Sequence, residues 1–340
     1  MAQSLAIKYR PKTFDDVVEQ GSTKIILQQQ IASCETKNAY LFVGSAGTGK
    51  TTCARIFANE INKGLGNPIE LDAASNNSVD DVREIINQAK TKSLDSEYKV
   101  FIIDECHSLS NSAWQAMLKI IEEPPAKSIF ILCTTEAHKV PKTILSRVQR
   151  FDFRRISQEG ISIRLTDIYD EEIGIPTDKK DEICETLEYI AKLADGGMRD
   201  ALTMLDKCLA YSTELTIDNV IKALGTVDYD VMFELTQSII EGRNTKVIEI
   251  IENLHNEGKD LKQFMKQYVQ FLLDIYKYHI GVDWKYMTLP EMYEETVVKC
   301  DKACDFLETI VRLNNDIKYS PTPKYDIEAV LLLEVLKNGN

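Results

Sequence analysis

The sequence predicts an α/β nucleotide-binding layout, a parallel sheet flanked by helices, followed by a small helical module and an all-helical C-terminal module. Three observations carry that prediction. Short apolar runs alternate with longer helical ones from Ala39 onward, a glycine-rich loop ending in Lys-Thr-Thr follows the first run directly, and the strand-like runs stop after about Phe153. Apolar runs of about four to six residues spaced by helices are the pattern of parallel strands buried on both faces.

In chain order, "AYLFVG" reads as the first strand, and a helix follows from Lys50 to about Asn62. "PIELDA", "YKVFIID" and "KSIFILCTT" read as further strands, separated by the helical patterns "SVDDVREIINQAK" and "NSAWQAMLKIIEE". Beyond Phe153, "SQEGISIRLTDIYDEE", "KDEICETLEYIAKLA" and "MRDALTMLDKCLAYS" show helical apolar spacing. The next break is "ALGTVDYD", where Gly225 ends one helix and Asp228 caps the next. Helical periodicity then continues through "VMFELTQSIIEG", "KVIEIIENLHNEG", "DLKQFMKQYVQFLLDIYKYHI" and "DIEAVLLLEVLKNG". The expected modules are residues 1–157, 158–225 and 226–340.

Composition narrows the function classes. A chain of 340 residues exceeds one ordinary core of roughly 100 to 200 residues, so two or three domains are expected. Hydrophobic residues make up 44% and charged residues 27%, the balance of a globular protein rather than a disordered or membrane chain. No apolar run approaches the roughly 18 residues of a membrane span, and the N-terminus lacks the apolar core of a signal peptide. The expected location is therefore cytoplasmic, with no membrane partner. A net charge of -13 argues against coating DNA by bulk electrostatics but permits a local basic stripe. Cysteines 34, 53, 106, 133, 184, 208, 300 and 304 form no Cys-x-x-Cys pair, and histidines 107, 138, 255 and 279 add no zinc-type spacing. They read as thiols and not as a metal site.

The chemistry begins at Gly44, Ser45, Ala46, Gly47, Thr48, Gly49, Lys50 and Thr51, with Thr52 following, which satisfy G-x-x-x-x-G-K-[ST] between a strand and a helix. In that setting backbone N–H groups and the helix N-terminus cradle phosphates, Lys50 reaches the β and γ oxygens, and the Thr51 hydroxyl holds Mg²⁺. ATP and Mg²⁺ are the expected ligands. "KVFIIDECH" then delivers Asp104 and Glu105 to the C-terminal edge of the sheet, where ligands of such sheets bind. Asp104 would bind the metal through water and Glu105 would orient or deprotonate the attacking water. An acidic pair after a strand is also compatible with a solvated loop.

Further segments are family-specific. "KYRPKTFDDVVEQ", "ELDAASN", "IIDECHSLSNSAWQAMLKIIEEPP", "FILCTTEAHKVPKTILSRVQRFDF" and "DGGMRDALTMLDK" together resemble the gamma/tau subunits of bacterial DNA polymerase III, the motor subunits of sliding-clamp loaders and members of the AAA+ ATPases. The similarity runs over about residues 1–225 and more weakly beyond. The resemblance implies an AAA+ P-loop module, a helical lid and an oligomerising collar. It further implies that Tyr9, Arg10, Pro11, Val17 and Val18 embrace adenine and ribose. Thr134 and Thr135 match the first sensor of the γ-phosphate, with Thr135 the better aligned. Arg147 matches the arginine finger that enters a neighbouring subunit's site, and Arg199 the second sensor on the lid. Taken alone, Arg147 reads as a surface salt bridge, and Arg199 as a helix-capping cation or a partner of Asp200.

The implied partners are other clamp-loader subunits (homologous copies with delta- and delta-prime-like subunits), a sliding clamp and primer-template DNA. Ala74 to Arg83 is the candidate DNA-facing stretch, although Asp80, Asp81 and Glu84 equally fit a solvated helix face. Two departures from the family pattern stand out. A four-cysteine zinc module is common in the family between the phosphate-loop helix and the "DAAS" strand; here only "KGLGNP" fills that gap, so no zinc is expected. The usual Ser-Arg-Cys is Ser-Arg-Val, which keeps the arginine. Ending at Asn340, the chain resembles the short gamma form, of bacterial or phage origin. A non-hydrolysing delta-prime-like subunit, or another DNA-remodelling AAA+ ATPase, is the alternative.

Overall fold

Five parallel strands form a sheet in the computed structural model of the chain, which describes residues 3–338 apart from Lys92, Leu94 and Thr226. They are β1 (Ala39–Val43), β2 (Ile69–Asp72), β3 (Lys99–Asp104), β4 (Ser128–Thr134) and β5 (Gln149–Asp152), in the spatial order β2-β3-β4-β1-β5. The four apolar runs read from the sequence are β1 to β4. β5 was not among them: of its four residues only Phe151 is buried, while Arg150 and Asp152 face solvent, so this edge strand lacks an apolar run.

Around the sheet lie α1 (Leu5–Lys8), α2 (Gly21–Ser33), α3 (Lys50–Ile61), α4 (Val79–Ala89), α5 (Asn111–Glu122) and α6 (Lys142–Leu145). Alternation along the strands builds two cores. Leu41, Phe101, Ile103, Phe130 and Leu132 pack with Val82, Ile85, Trp114 and Met117 on one face. Tyr40, Phe42, Val100, Ile102 and Ile131 pack with Phe57, Leu27, Phe14 and Val17 on the other. Burying both faces explains why β4 has no exposed residue.

Helices α7 (Gln158–Glu172), α8 (Lys180–Leu193) and α9 (Met198–Tyr211) follow, and α7 packs against α8. The chain divides into two compact units, Met1–Asp206 and Lys207–Asn340. The expected module boundary at Thr226 lies outside the described residues, as do the outer bounds Met1 and Asn340. The second unit holds α10 (Ile217–Leu224), α11 (Tyr229–Ile240), α12 (Asn244–Asn256), α13 (Leu261–His279), α14 (Glu294–Val297), α15 (Leu307–Asp316) and α16 (Pro323–Asn338). Gly225 adopts a left-handed conformation after α10, and the Asp228 carboxylate caps α11 by accepting from the Asp230 N–H, as expected from the sequence. Within this unit the buried Asp274 carboxylate accepts from Thr288 N and Oγ1 and from Leu289 N, while Lys277 Nζ balances its charge at 2.9 Å.

Candidate functional site

Because all five strands are parallel, the loops that follow β1, β3 and β4 emerge at one sheet edge. β4 separates β1 from β3 there, with Val43 in register with Thr134 and Ile103 with Leu132. The loop after β1 turns through Gly49 at φ +98°, a conformation open to glycine and strained for other residues, and Lys50 begins α3. Gly44 admits no side chain for another reason: a Cβ would lie 2.5 Å from the Phe153 carbonyl oxygen. Thr48 Oγ1 donates to the Ser45 carbonyl at 2.8 Å and stiffens the turn.

Lys50 is only 6% exposed, and its ammonium donates to the carbonyls of Gly44 and Ser45, both at 2.9 Å. Burial holds its pKa below the usual lysine value, while Glu105 and Asp104 act to keep it charged. Opposite it, Thr51 Oγ1 donates to Asp104 Oδ2 at 2.6 Å, and Asp104 Oδ1 accepts from the Glu105 N–H at 3.0 Å. A hydroxyl and a carboxylate side by side are hard oxygen donors of the kind that suit Mg²⁺ with retained waters, so the residues present fit that ion. Glu105 itself sits at φ 45°, a strained position for a residue with a side chain, at the start of a 3-10 turn over Cys106–Ser108.

One cleft brings most of the expected residues together. Its lining includes Tyr9, Arg10, Pro11, Val17 and Val18, the loop residues Ala46, Gly47, Thr48, Gly49, Lys50, Thr51 and Thr52, both acids Asp104 and Glu105, and Arg199. Gly44 and Ser45 stand behind the loop and reach the site through their carbonyls. Arg199 enters from the start of α9, where the Met198 N–H donates to the Gly47 carbonyl at 3.1 Å. Among the described residues no ion pair joins Arg199 to Asp200.

Besides Gly44 and Ser45, three expected residues do not line the cleft. Thr135 lies one step away, its Oγ1 donating to Glu105 Oε2 at 3.2 Å. Thr134 is fully buried and accepts from the Glu136 N–H at 2.9 Å. Arg147 is exposed, forms an ion pair with Glu122 at 2.8 Å and donates to the Thr143 carbonyl, also at 2.8 Å. Within this chain its surface salt bridge is real, and nothing carries the side chain to the chain's own cleft. The stretch from Ala74 to Arg83 forms a turn closed by Asp72 and then the start of α4, where Ser78 and Asp81 make a capping box.

Sequence reading missed several participants. Arg164 and Asp16 line the cleft, and the Arg164 guanidinium lies 6.0 Å from the Tyr9 ring centre. Tyr9 Oη and Lys8 Nζ both donate to Glu172, at the end of α7. Burial, followed by that hydrogen bond, pushes the Tyr9 phenol up to about 12, and the bonds from Lys8 and Tyr9 hold Glu172 below its usual value. Gln20 ties the N-terminal segment down further along by donating to the Arg154 carbonyl and accepting from the Arg154 N–H. His107 Nδ1 lies 3.3 Å from Glu105 Oε2. Apart from His107 with Glu105, these pairs join distant segments up to 164 positions apart, so periodicity and spacing carry no signal for them. The cysteines are free thiols; burial pushes Cys53 up to about 12, and Cys106 and Cys133 also stay protonated. Among the described residues no helix is long and apolar enough to cross a membrane.

A family model described as DNA polymerase III, delta subunit matches residues 67–157, and one described as DNA polymerase III subunits gamma and tau domain III matches residues 215–312. The chain is 30% identical to DNA polymerase III subunit gamma of Buchnera aphidicola, over 97% of this chain and 98% of the relative. It is 38% identical to DNA polymerase III subunit tau of Bacillus subtilis over 97% of its own length, and spans 62% of that relative. It spans 49% of the Mycoplasma genitalium gamma/tau subunit, at 32% identity. Among solved structures, the RuvB Holliday junction branch migration motor of Thermotoga maritima matches with a TM-score of 0.53 at 21% identity, over 68% of this chain and 80% of that one, which establishes a shared fold.

Proposed function

The chain belongs to the gamma/tau family of DNA polymerase III subunits, and from that membership we propose that it is an ATP-hydrolysing motor of a sliding-clamp loader. The observation that carries the reading is the 2.6 Å bond between Thr51 and Asp104, with Glu105 adjacent, in a cleft shared by a buried Lys50 and Arg199. Phosphoryl transfer needs positioning and cations around the γ-phosphate more than covalent chemistry. The loop amides and Lys50 would hold the β and γ oxygens; Arg199 would add charge from the lid. Thr51, and Asp104 through water, would hold Mg²⁺, which would supply positive charge to neutralise the phosphates when bound. Glu105 takes a proton from water as the water oxygen attacks the γ-phosphorus, and the bond from that phosphorus to the bridging oxygen breaks to release ADP.

Tyr9, Arg10, Pro11, Val17 and Val18 would enclose adenine and ribose. Thr135 would report the γ-phosphate through Glu105, and Arg147 would complete the site of a neighbouring copy. In this reading residues 1–157 bind nucleotide, 158–225 form the lid and 226–340 the collar; related subunits, a clamp and primer-template DNA are the partners. ATP would stabilise a spiral that opens the clamp, and DNA would be tracked through its phosphates, with Ala74 to Arg83 facing it. No zinc takes part. A non-hydrolysing subunit of delta-prime type keeps the fold, but the retained Lys50, Thr51, Asp104 and Glu105 weigh against it.

The test is ATP turnover by the purified chain, alone and with cognate clamp and primed DNA. Stimulation by the pair, lost in Lys50→Ala, is the expected result. Turnover indifferent to clamp and DNA would refute the clamp-loader reading.

A further inference from the structure

We propose that His107 is a positioning residue for hydrolysis: its imidazole bridges the Glu105 carboxylate to Glu136 and fixes the orientation in which Glu105 meets the attacking water. The inference rests on Glu105 being the base. His107 leaves the 3-10 turn Cys106–Ser108 with its side chain 15% exposed. Nδ1 lies 3.3 Å from Glu105 Oε2 and 3.1 Å from Thr134 Oγ1, and Nε2 lies 3.3 Å from Glu136 Oε1. Ionised carboxylates only accept hydrogen bonds, so each of these two contacts needs an N–H on the ring nitrogen that makes it, and holding both carboxylates at once needs an N–H on both nitrogens.

The bridge does three things. Together with Thr135 Oγ1 at 3.2 Å, Nδ1 gives Oε2 two contacts, which leaves Oε1 as the oxygen without a donor from this pair and confines the carboxylate to one rotamer. It also separates the charges of Glu105 and Glu136. Glu136 is itself held by Lys139 at 2.9 Å and pulled below its usual pKa mainly by that bond. Finally, Glu136 precedes the 3-10 turn Ala137–Lys139 that leads into α6 and Arg147. His107 therefore joins the water-activating group to the same segment that carries the finger. The Thr134 hydroxyl, fully buried and also accepting from the Glu136 N–H, fixes the ring from beneath.

The contact from Nδ1 to Glu105 sets the prediction. Asparagine places an amide near the position of Nδ1 and restores a donor to Glu105; alanine restores none. Single-turnover ATP hydrolysis by the full chain, with the affinity of a fluorescent ATP analogue measured in parallel, separates these roles. His107→Ala is expected to lower the hydrolysis rate on the order of tenfold or more with unchanged analogue affinity, as second-layer partners do. His107→Asn is expected to recover most of the rate. In a Glu105→Gln background, His107→Ala should add nothing, because the two act as one unit. The ¹⁵N imidazole signals of His107 should also shift on Glu105→Gln. A His107→Ala chain that hydrolyses at the wild-type rate, or one whose loss is the same with and without Glu105, overturns the inference. If Glu105→Gln itself leaves turnover intact, the assignment of the base fails instead, and the two failures are told apart by that control.

Discussion

Burial turns Lys50 from a mobile surface cation into a fixed one, as its proposed role of phosphate ligand requires. Two carbonyls at 2.9 Å and near-complete burial fix the ammonium before any phosphate arrives. Lys50→Ala should weaken binding of an ATP analogue by about 10- to 100-fold, the equivalent of one charge-assisted hydrogen bond, read by fluorescence titration. Tyr9 yields a pH prediction. Its phenol titrates only at about 12 and so donates throughout the neutral range, whereas Glu172, with a pKa below its ordinary 4.5, must stay ionised to hold both Tyr9 and Lys8. The contribution of this tether is present above pH 4.5 and is lost as the pH falls through the lowered value of Glu172. Loss of this tether should thus weaken analogue affinity only as the pH falls through the lowered value of Glu172, and Glu172→Gln should bind more weakly but with less acid sensitivity. The phosphate loop and Asp104 were legible in the sequence because their chemistry is contained in consecutive residues. Arg164 and Glu172 were not, because each meets its partner only after distant segments pack, and His107, although two residues from Glu105, shows its role only once Thr134 and Glu136 are packed against it.

Among the elements, the strand order decides which side chains meet. With β4 between β1 and β3, Thr134 and Thr135 emerge beside Glu105 while the phosphate loop stands on the other flank. Sequence periodicity found β1 to β4, whose apolar runs record burial on two faces. It passed over β5, whose single buried Phe151 packs against Tyr40 and Phe42 and whose other residues point outward. β5 nonetheless anchors the site, since the chain that leaves it lays Phe153 against Gly44. Gly44→Ala should therefore destabilise the nucleotide-binding unit by about 1–3 kcal/mol through overpacking, seen as a lower urea midpoint with unchanged slope. The cap of α4 makes a smaller prediction: Ser78→Ala removes one side of the capping box and should lower stability by about 1 kcal/mol.

At the scale of the molecule, the cleft assembled within the chain is lined by Glu105, the buried Lys50, the Thr51–Asp104 pair and Arg199, the groups to which the proposed function gives the roles of base, phosphate ligand, metal-binding pair and lid cation, but Arg147 stays on the surface beside Glu122. The account therefore places the last catalytic group on a neighbour, and an arginine finger contributes about 10³- to 10⁵-fold in related phosphoryl transfer. Its position outside the cleft could not be read from spacing, since a surface salt bridge and a finger that acts on another subunit look alike in one chain. The most direct measurement is ATP turnover by a mixture of two inactive variants. Arg147→Ala keeps its own site, and Glu105→Gln keeps its finger; alone, each should be nearly inactive. Mixed in equal amounts, they should recover activity at about a quarter of the sites, because half the subunits supply an intact cleft and half an intact finger across a head-to-tail interface. A mixture as inactive as its components, or an Arg147→Ala chain that turns over normally, would contradict the account.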